Sequence, residues 1–222
     1  LTGFDGDLQG VQAGLDIYAD TTDGGWRNQV GLFAGRTRAS GRITGLALGW
    51  ENVDVGQLRL DDKHAGLSWT GVGSAGGYID VVVMQSRYRG RAWSTRGLGI
   101  DVRGDGTTAS VEVGKPMLRF GQSSWWLEPQ LQVIWQRQSL DDAADAIAAI
   151  RFDTDNAWTG RAGVRIAGDY GLADNGWQPY IKLNYWKTFD GENRTDFDSN
   201  RIVSLQQTRG WEVGVGVVGR FN

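Results

Sequence analysis

Nine segments of this chain alternate apolar and polar residues, and the connections between them alternate short and long without exception. The segments lie near residues 8–19, 27–39, 63–72, 78–90, 107–119, 125–137, 157–169, 177–188 and 209–221. Four connections are tight and turn-rich: TTDGG (21–25), GSAGG (73–77), FGQSS (120–124) and LADNG (172–176). Gly, Asp, Asn and Ser supply the backbone angles that hairpins need. The other four, near 40–62, 91–106, 138–156 and 189–208, are long and polar. Helical periodicity is confined to SLDDAADAIAAI (139–150), Ala-rich with acidic residues near its start. The chain is therefore expected to be all-β and antiparallel.

Parity within the strands shows what each face needs. In 125–137, Leu127, Pro129, Leu131, Val133 and Trp135 oppose Glu128, Gln130, Gln132 and Ile134. In 177–188, Pro179, Ile181, Leu183 and Tyr185 oppose Gln178, Tyr180, Lys182 and Asn184. In 8–19, Val11, Ala13, Leu15 and Ile17 oppose Gln12, Gly14, Asp16 and Tyr18. A soluble sheet also alternates, but it buries its apolar face under a second layer. The 34 glycines favour the reverse arrangement. They gather on the polar faces, where a narrow lumen gains room from small side chains and a solvent-facing strand gains nothing. Apolar residues outside, polar residues and glycine inside, short turns at one end and long loops at the other describe an antiparallel transmembrane β-barrel of the outer membrane.

Each tight turn is followed at once by an aromatic: Trp26, Tyr78, Trp125 with Trp126, and Trp177. Rings at one height suit the headgroup level, so these five are expected to form an interface girdle. The charged or amide candidates for the lumen are Asp16, Asp80, Glu112, Glu128, Gln130, Arg161, Arg165, Lys182, Glu212 and Arg220. Pro129 and Pro179 lie near strand starts, where a missing N–H should show as a ladder break or bulge.

Composition removes several function classes. The net charge of −3 gives no reason to expect a nucleic-acid partner, and no cofactor motif is present. The absence of cysteine excludes thiolate metal sites, disulfides and a cysteine nucleophile. His64 is the single histidine, so no metal site is expected; it falls in or beside a long loop, away from Ser86 and Ser110. No apolar run is long enough for a transmembrane helix, and LTGFDGDLQG is no signal peptide. Nine antiparallel strands are an odd number, and closure is expected to need at least one more, from further chain or from a partner.

Several segments resemble the translocator domain of classical monomeric autotransporters of the pertactin and AIDA type. TASVEVGKPM (108–117), WWLEPQLQVIW (125–135), GRAGVRIAG (160–168), WQPYIKLNYWKTFDGE (177–192) and TRGWEVGVGVVGRFN (208–222) resemble family strands in order and spacing, while GVQAGLD (10–16) and GGYIDVVVMQSRYRG (76–90) fit earlier ones. The resemblance covers residues 1–222 as one partial barrel domain. It implies a twelve-strand barrel, with one strand preceding this segment and two following it, and a linker helix and terminal assembly signal lying elsewhere. It also implies a monomer in the outer membrane of a Gram-negative bacterium. Its partners would be membrane lipid, the barrel-assembly machinery and its own passenger, which it anchors and translocates to the surface by type V secretion. It implies no cofactor and no catalysis. The alternatives are a barrel that cuts its own passenger with lumen carboxylates such as Glu112 and Glu128, or a soluble all-β binding module.

Overall fold

The computed structural model describes residues 3–47, 49–144, 149–154, 156–171, 176–190, 192–197, 200–205 and 209–220. In chain order its strands are β1 (Gly3–Thr21), β2 (Arg27–Ala47), β3 (Trp50–Val72), β4 (Tyr78–Ser94), β5 (Gly99–Gly114), β6 (Leu118–Arg119), β7 (Trp125–Leu140), β8 (Ala143–Ala144), β9 (Ala149–Thr154), β10 (Ala157–Gly168), β11 (Tyr170–Gly171), β12 (Gly176–Asp190), β13 (Glu192–Phe197), β14 (Asn200–Leu205) and β15 (Arg209–Arg220). Eleven of these form one antiparallel sheet: nine main strands in the order β1-β2-β3-β4-β5-β7-β10-β12-β15, with the two-residue β6 paired to β7 and β11 to β12. Every main neighbour is also the next long strand in sequence, which is the topology that hairpin connections impose.

Two of the tight turns share one geometry. In TTDGGW, Thr22 N–H reaches Trp26 O at 2.8 Å and Gly25 has φ +76°. In GSAGGY, Gly73 N–H reaches Gly77 O at 2.8 Å and Gly76 has φ +78°. A left-handed residue at that position favours glycine, so the recurring Gly-Gly is a structural requirement. Of the LADNG turn, 172–175 lie outside the described residues.

The long connections are not loops. β2 and β3 run on for 21 and 23 residues, pairing from Arg27↔Val72 to Ala47↔Trp50. A membrane strand needs about 9–11 residues, so this hairpin continues far beyond the apolar band. β4 and β5 likewise continue through 91–106 to a turn at Gly97. Segments 138–156 and 189–208 contribute a second, four-stranded sheet in the order β14-β13-β9-β8. The helix-like stretch 139–150 is strand where it is described: β7 extends to Leu140, and Ala143 and Ala144 pair with Ile150 and Ala149, while 145–148 lie outside the described residues. Ile150 is buried and pairs with Phe197, so tertiary pairing overrides the alanines' helix preference. The strand expected over 107–119 ends at Gly114, and Leu118–Arg119 pairs separately with β7.

The sheet has a dry side and a wet side in the inverted sense. Leu131, Val133, Ile181, Leu183, Val213 and Val215 are all exposed, from 47% to 76%, whereas Glu128, Gln130 and Asn184 on the opposite face are at most 8% exposed. Among the described residues the buried hydrophobic side chains are Ile150 and Ala167. A water-soluble sheet of this size would have to cover that apolar face. One parity is corrected. A bulge between Asp16 and Tyr18 puts Tyr18 opposite Val30, on the outer face, and interrupts the alternation expected for 8–19. Both prolines mark ladder breaks. β5–β7 pairing stops at Gly114↔Gln130, one residue beyond Pro129, and β10–β12 pairing stops at Ala167↔Tyr180, one residue beyond Pro179.

Candidate functional site: the polar inner face

Register places the chemistry of the inner face in rows that run across the strands. One row reads Thr70, Asp80, Glu112, Gln132, Arg161 and Trp186, from β3 to β12. The next contains Tyr78, Gly114, Gln130, Gly163, Asn184 and Glu212. A third contains Glu128, Arg165, Lys182 and Gly214. Three ion pairs result, two within a row and one, Lys182–Glu212, between the third row and the second.

Arg161 Nη2 lies 2.7 Å from Glu112 Oε2 across the width of β7. The contact is off the N–H axis, so the attraction is chiefly electrostatic. Tyr78 donates to Glu112 Oε1 at 2.6 Å, and the Arg161 guanidinium covers the Trp186 ring at 5.4 Å. Arg165 stands 3.9 Å from Glu128, donates to Gln178 Oε1 at 2.7 Å and covers the Tyr180 ring at 4.8 Å. Gln130 donates to Glu128 at 2.8 Å. Glu212 accepts from Lys182 at 2.6 Å, Trp186 Nε1 at 2.9 Å and Asn184 Nδ2 at 3.2 Å. Asp80 accepts from Thr70 at 2.6 Å, and Asp16, toward the sheet edge, accepts from Gln29. Arg220 is opposite Gly176 in the ladder, and its side chain lies outside the description.

The glycines of this face make room for neighbours rather than for open space. A Cβ on Gly114 would stand 2.5 Å from the Tyr78 ring, one on Gly106 2.6 Å from the Tyr88 hydroxyl, and one on Gly216 2.5 Å from the Tyr180 hydroxyl. Each long side chain lies flat over the glycine of the adjacent strand, which is how the inside stays packed although many of its positions have no side chain.

Two members of the expected girdle belong elsewhere. Tyr78 and Trp126 project inward: Tyr78 holds Glu112, and Trp126 shares its row with Ala167, Tyr180 and Gly216. Both have the parity of a lumen carboxylate two residues on, Asp80 and Glu128, and pleat parity decides direction more strongly than proximity to a turn. Trp26 and Trp177 are exposed on the outer side, and Trp125 donates its Nε1–H to Tyr170 at 2.7 Å. Tyr170 stacks on Trp177 with centroids 5.0 Å apart. Tyr170 was legible only as a residue beside a turn. Tyr180, Asn184 and Trp186 share Lys182's parity, and that was the signal that could have added them to the inner site.

His64 is also placed differently from the sequence reading. It is in β3, directly opposite Ser86 in β4. Its Nδ1 contacts Asp62 Oδ2 at 2.7 Å and its Nε2 contacts Gln12 Oε1 at 3.2 Å. Both ring nitrogens are thus engaged by groups other than Ser86. Gly35 makes space for the ring: a Cβ there would overlap Nε2. Among the described residues no group of three or more acidic or histidine side chains gathers as metal ligands.

Comparison with known proteins agrees with this geometry. The beta domain of the Bordetella autotransporter BrkA superposes with TM-score 0.65 at 21% identity, covering 99% of this chain and 92% of that one. The transport unit of the autotransporter AIDA-I from Escherichia coli superposes with TM-score 0.78 at 15% identity, covering 97% of this chain and 72% of that one. In sequence, the probable autotransporter YcgV of Escherichia coli strain K12 is 25% identical over 231 residues, spanning all of this chain and 22% of that protein. Members of the autotransporter beta-domain family anchor in the outer membrane and translocate a passenger, and their family profile matches residues 1 to 222. With its inverted sheet and alternating turns, this chain belongs to the autotransporter beta-domain family.

Proposed function

We propose that the chain is the membrane-embedded part of a monomeric translocator in the outer membrane of a Gram-negative bacterium. It anchors a passenger polypeptide and lines the hydrated path by which that passenger reaches the surface. The observation that carries the reading is the inversion of the sheet: half-exposed aliphatics on one face, and a carboxylate–guanidinium network on the other. Aliphatics in that number are stable only against lipid, and a polar wall with fixed charges of both signs keeps a pore wet without binding one sign of peptide strongly. Insertion of such a sheet calls on the barrel-assembly machinery. Glu112 and Glu128 each face an arginine, which favours a structural role over acid–base chemistry and counts against self-cleavage. The test is expression of the full-length parent in a Gram-negative host. The expected result is outer-membrane fractionation, a heat-modifiable gel shift, and a passenger digested by protease added to intact cells. A parent that stays in solution without detergent and shows no heat shift overturns the reading.

A further inference from the structure

The outer face changes character abruptly above its apolar band. The row Leu32, Leu67 and Val83 is followed by Ala34, Ala65 and Gln85, and then by three consecutive rows of charge. The first is Arg36, Lys63, Arg87 and Asp105; the second is Arg38, Asp61, Arg89 and Arg103; the third carries Asp7, Arg59, Arg91 and Asp101. Eight exposed cations face four carboxylates in these rows, with Asp141 and Asp142 beside Arg91 and Arg103 at the β5 edge, in a chain whose net charge is −3.

The arrangement is costly without a ligand. Like charges directly opposite on neighbouring strands are destabilising, and Arg36, Lys63 and Arg87 stand in one unbroken line, as do Arg89 with Arg103 and Arg59 with Arg91. Internal carboxylates relieve part of it. Asp61 contacts Arg36 at 2.6 Å and Arg38 at 3.1 Å, and Asp105 contacts Arg87 at 3.2 Å. Lys63, Arg89, Arg91 and Arg103 have no carboxylate contact among the described residues. In the top row Arg59 lies 6.0 Å from the Trp93 ring, and with Arg91 it walls a groove of about 540 Å³.

We infer that this belt binds the phosphates of a phosphorylated glycolipid in the outer leaflet, whose acyl chains lie on the adjoining aliphatics. The inference rests on the membrane reading above. That reading puts the short turns on the periplasmic side and the belt at the outer headgroup level. Cations repeat about 4.8 Å apart between strands and about 6.8 Å apart between rows, a lattice suited to several phosphates on one headgroup. Guanidinium groups bind phosphate oxygens in forks, and seven of the eight cations are arginine. The aliphatic rows beneath supply the apolar half of an amphipathic ligand.

The test uses full-length protein folded in detergent, with lipid A carrying both phosphates and lipid A with both removed as probes. The expected result is preference for the phosphorylated probe, weakening as salt rises. Lys63→Gln with Arg89→Gln should lower that affinity roughly tenfold or more. Lys115→Gln with Arg119→Gln, a charge-matched change at the turn end, should leave it unchanged. The single variant Lys63→Gln should give an intermediate loss if the double variant fails to fold. Equal binding of the two probes, or equal losses in the two double variants, overturns the inference. A heat-modifiable gel shift in the same samples keeps this failure distinct from failure of the membrane reading, which would abolish the shift itself.

Discussion

Arg161 in β10 meets Glu112 in β5 at 2.7 Å, although a whole strand, β7, separates them. Gln132 of that strand occupies the intervening place in the row and donates to Ser110 instead. The pair is possible because the sheet curves, and it ties three strands together from inside. Both partners are largely shielded, with side chains 8% and 20% exposed. Removing one charge leaves the other uncompensated. Arg161→Met is expected to destabilise the folded barrel by about 3 kcal/mol, and adding Glu112→Gln should recover part of the loss. Urea titration followed by the heat-modifiable band measures both; additive losses in the double variant would refute the coupling.

The two faces should respond unequally to an added charge. Val133 lies on the lipid side, 51% exposed. Val133→Arg is expected to cost about 2–4 kcal/mol, the range for a cation near the bilayer midplane. Thr108→Lys, on the inner face, should cost less than about 1 kcal/mol because the cation remains hydrated. Unfolding of the two variants in the same lipid vesicles gives the comparison, and equal costs would contradict the assignment of faces.

Gly114 tests the packing of side chains over glycine. A methyl group there would stand 2.5 Å from the Tyr78 ring. Gly114→Ala should therefore displace Tyr78 and break its hydrogen bond to Glu112, costing about 1–3 kcal/mol. Adding Tyr78→Ala should make the glycine change nearly neutral. A full cost in both backgrounds would show that the ring is not what constrains Gly114.

Above the apolar band, Asp61 supplies a pH dependence. The Arg36 hydrogen bond, helped by Arg38, holds its carboxyl below the usual 3.8. A carboxyl whose folded value is lowered contributes stability that is fully present above its unfolded value and disappears as pH falls through the folded value. The unfolding midpoint should therefore drop more steeply below about pH 4 in the parent than in Asp61→Asn. Parallel curves for the two proteins would exclude the linkage.

Much of the fold could be read from single strands. Alternation in WWLEPQLQVIW and WQPYIKLNYW assigns Glu128, Gln130 and Lys182 to the face opposite Leu131 and Leu183; Glu128 and Gln130 are buried where Leu131 and Leu183 are exposed. The same alternation would have turned Tyr78 and Trp126 inward had parity been weighed above their place after a turn. Where apolar residues fall at both parities, as Val53, Val55, Leu58 and Leu60 do in 40–62, alternation carries no signal, so a continuing hairpin reads as a loop. The Ala-rich 139–150 reads as helix for a related reason: intrinsic preference is visible locally, while the partner that overrides it, Phe197 opposite Ile150, is distant in sequence.

The sequence by itself determined the strands of the band, their order, the tight turns and which face meets lipid, because a pleat of period two and a hairpin turn are local properties. The tertiary structure decided which charges meet. Glu112 with Arg161, Lys182 with Glu212 and the three rows of cations depend on register between strands and on curvature of the sheet. Both are set by pairing among many residues at once, and a one-residue change in either would send every one of these side chains to a different neighbour.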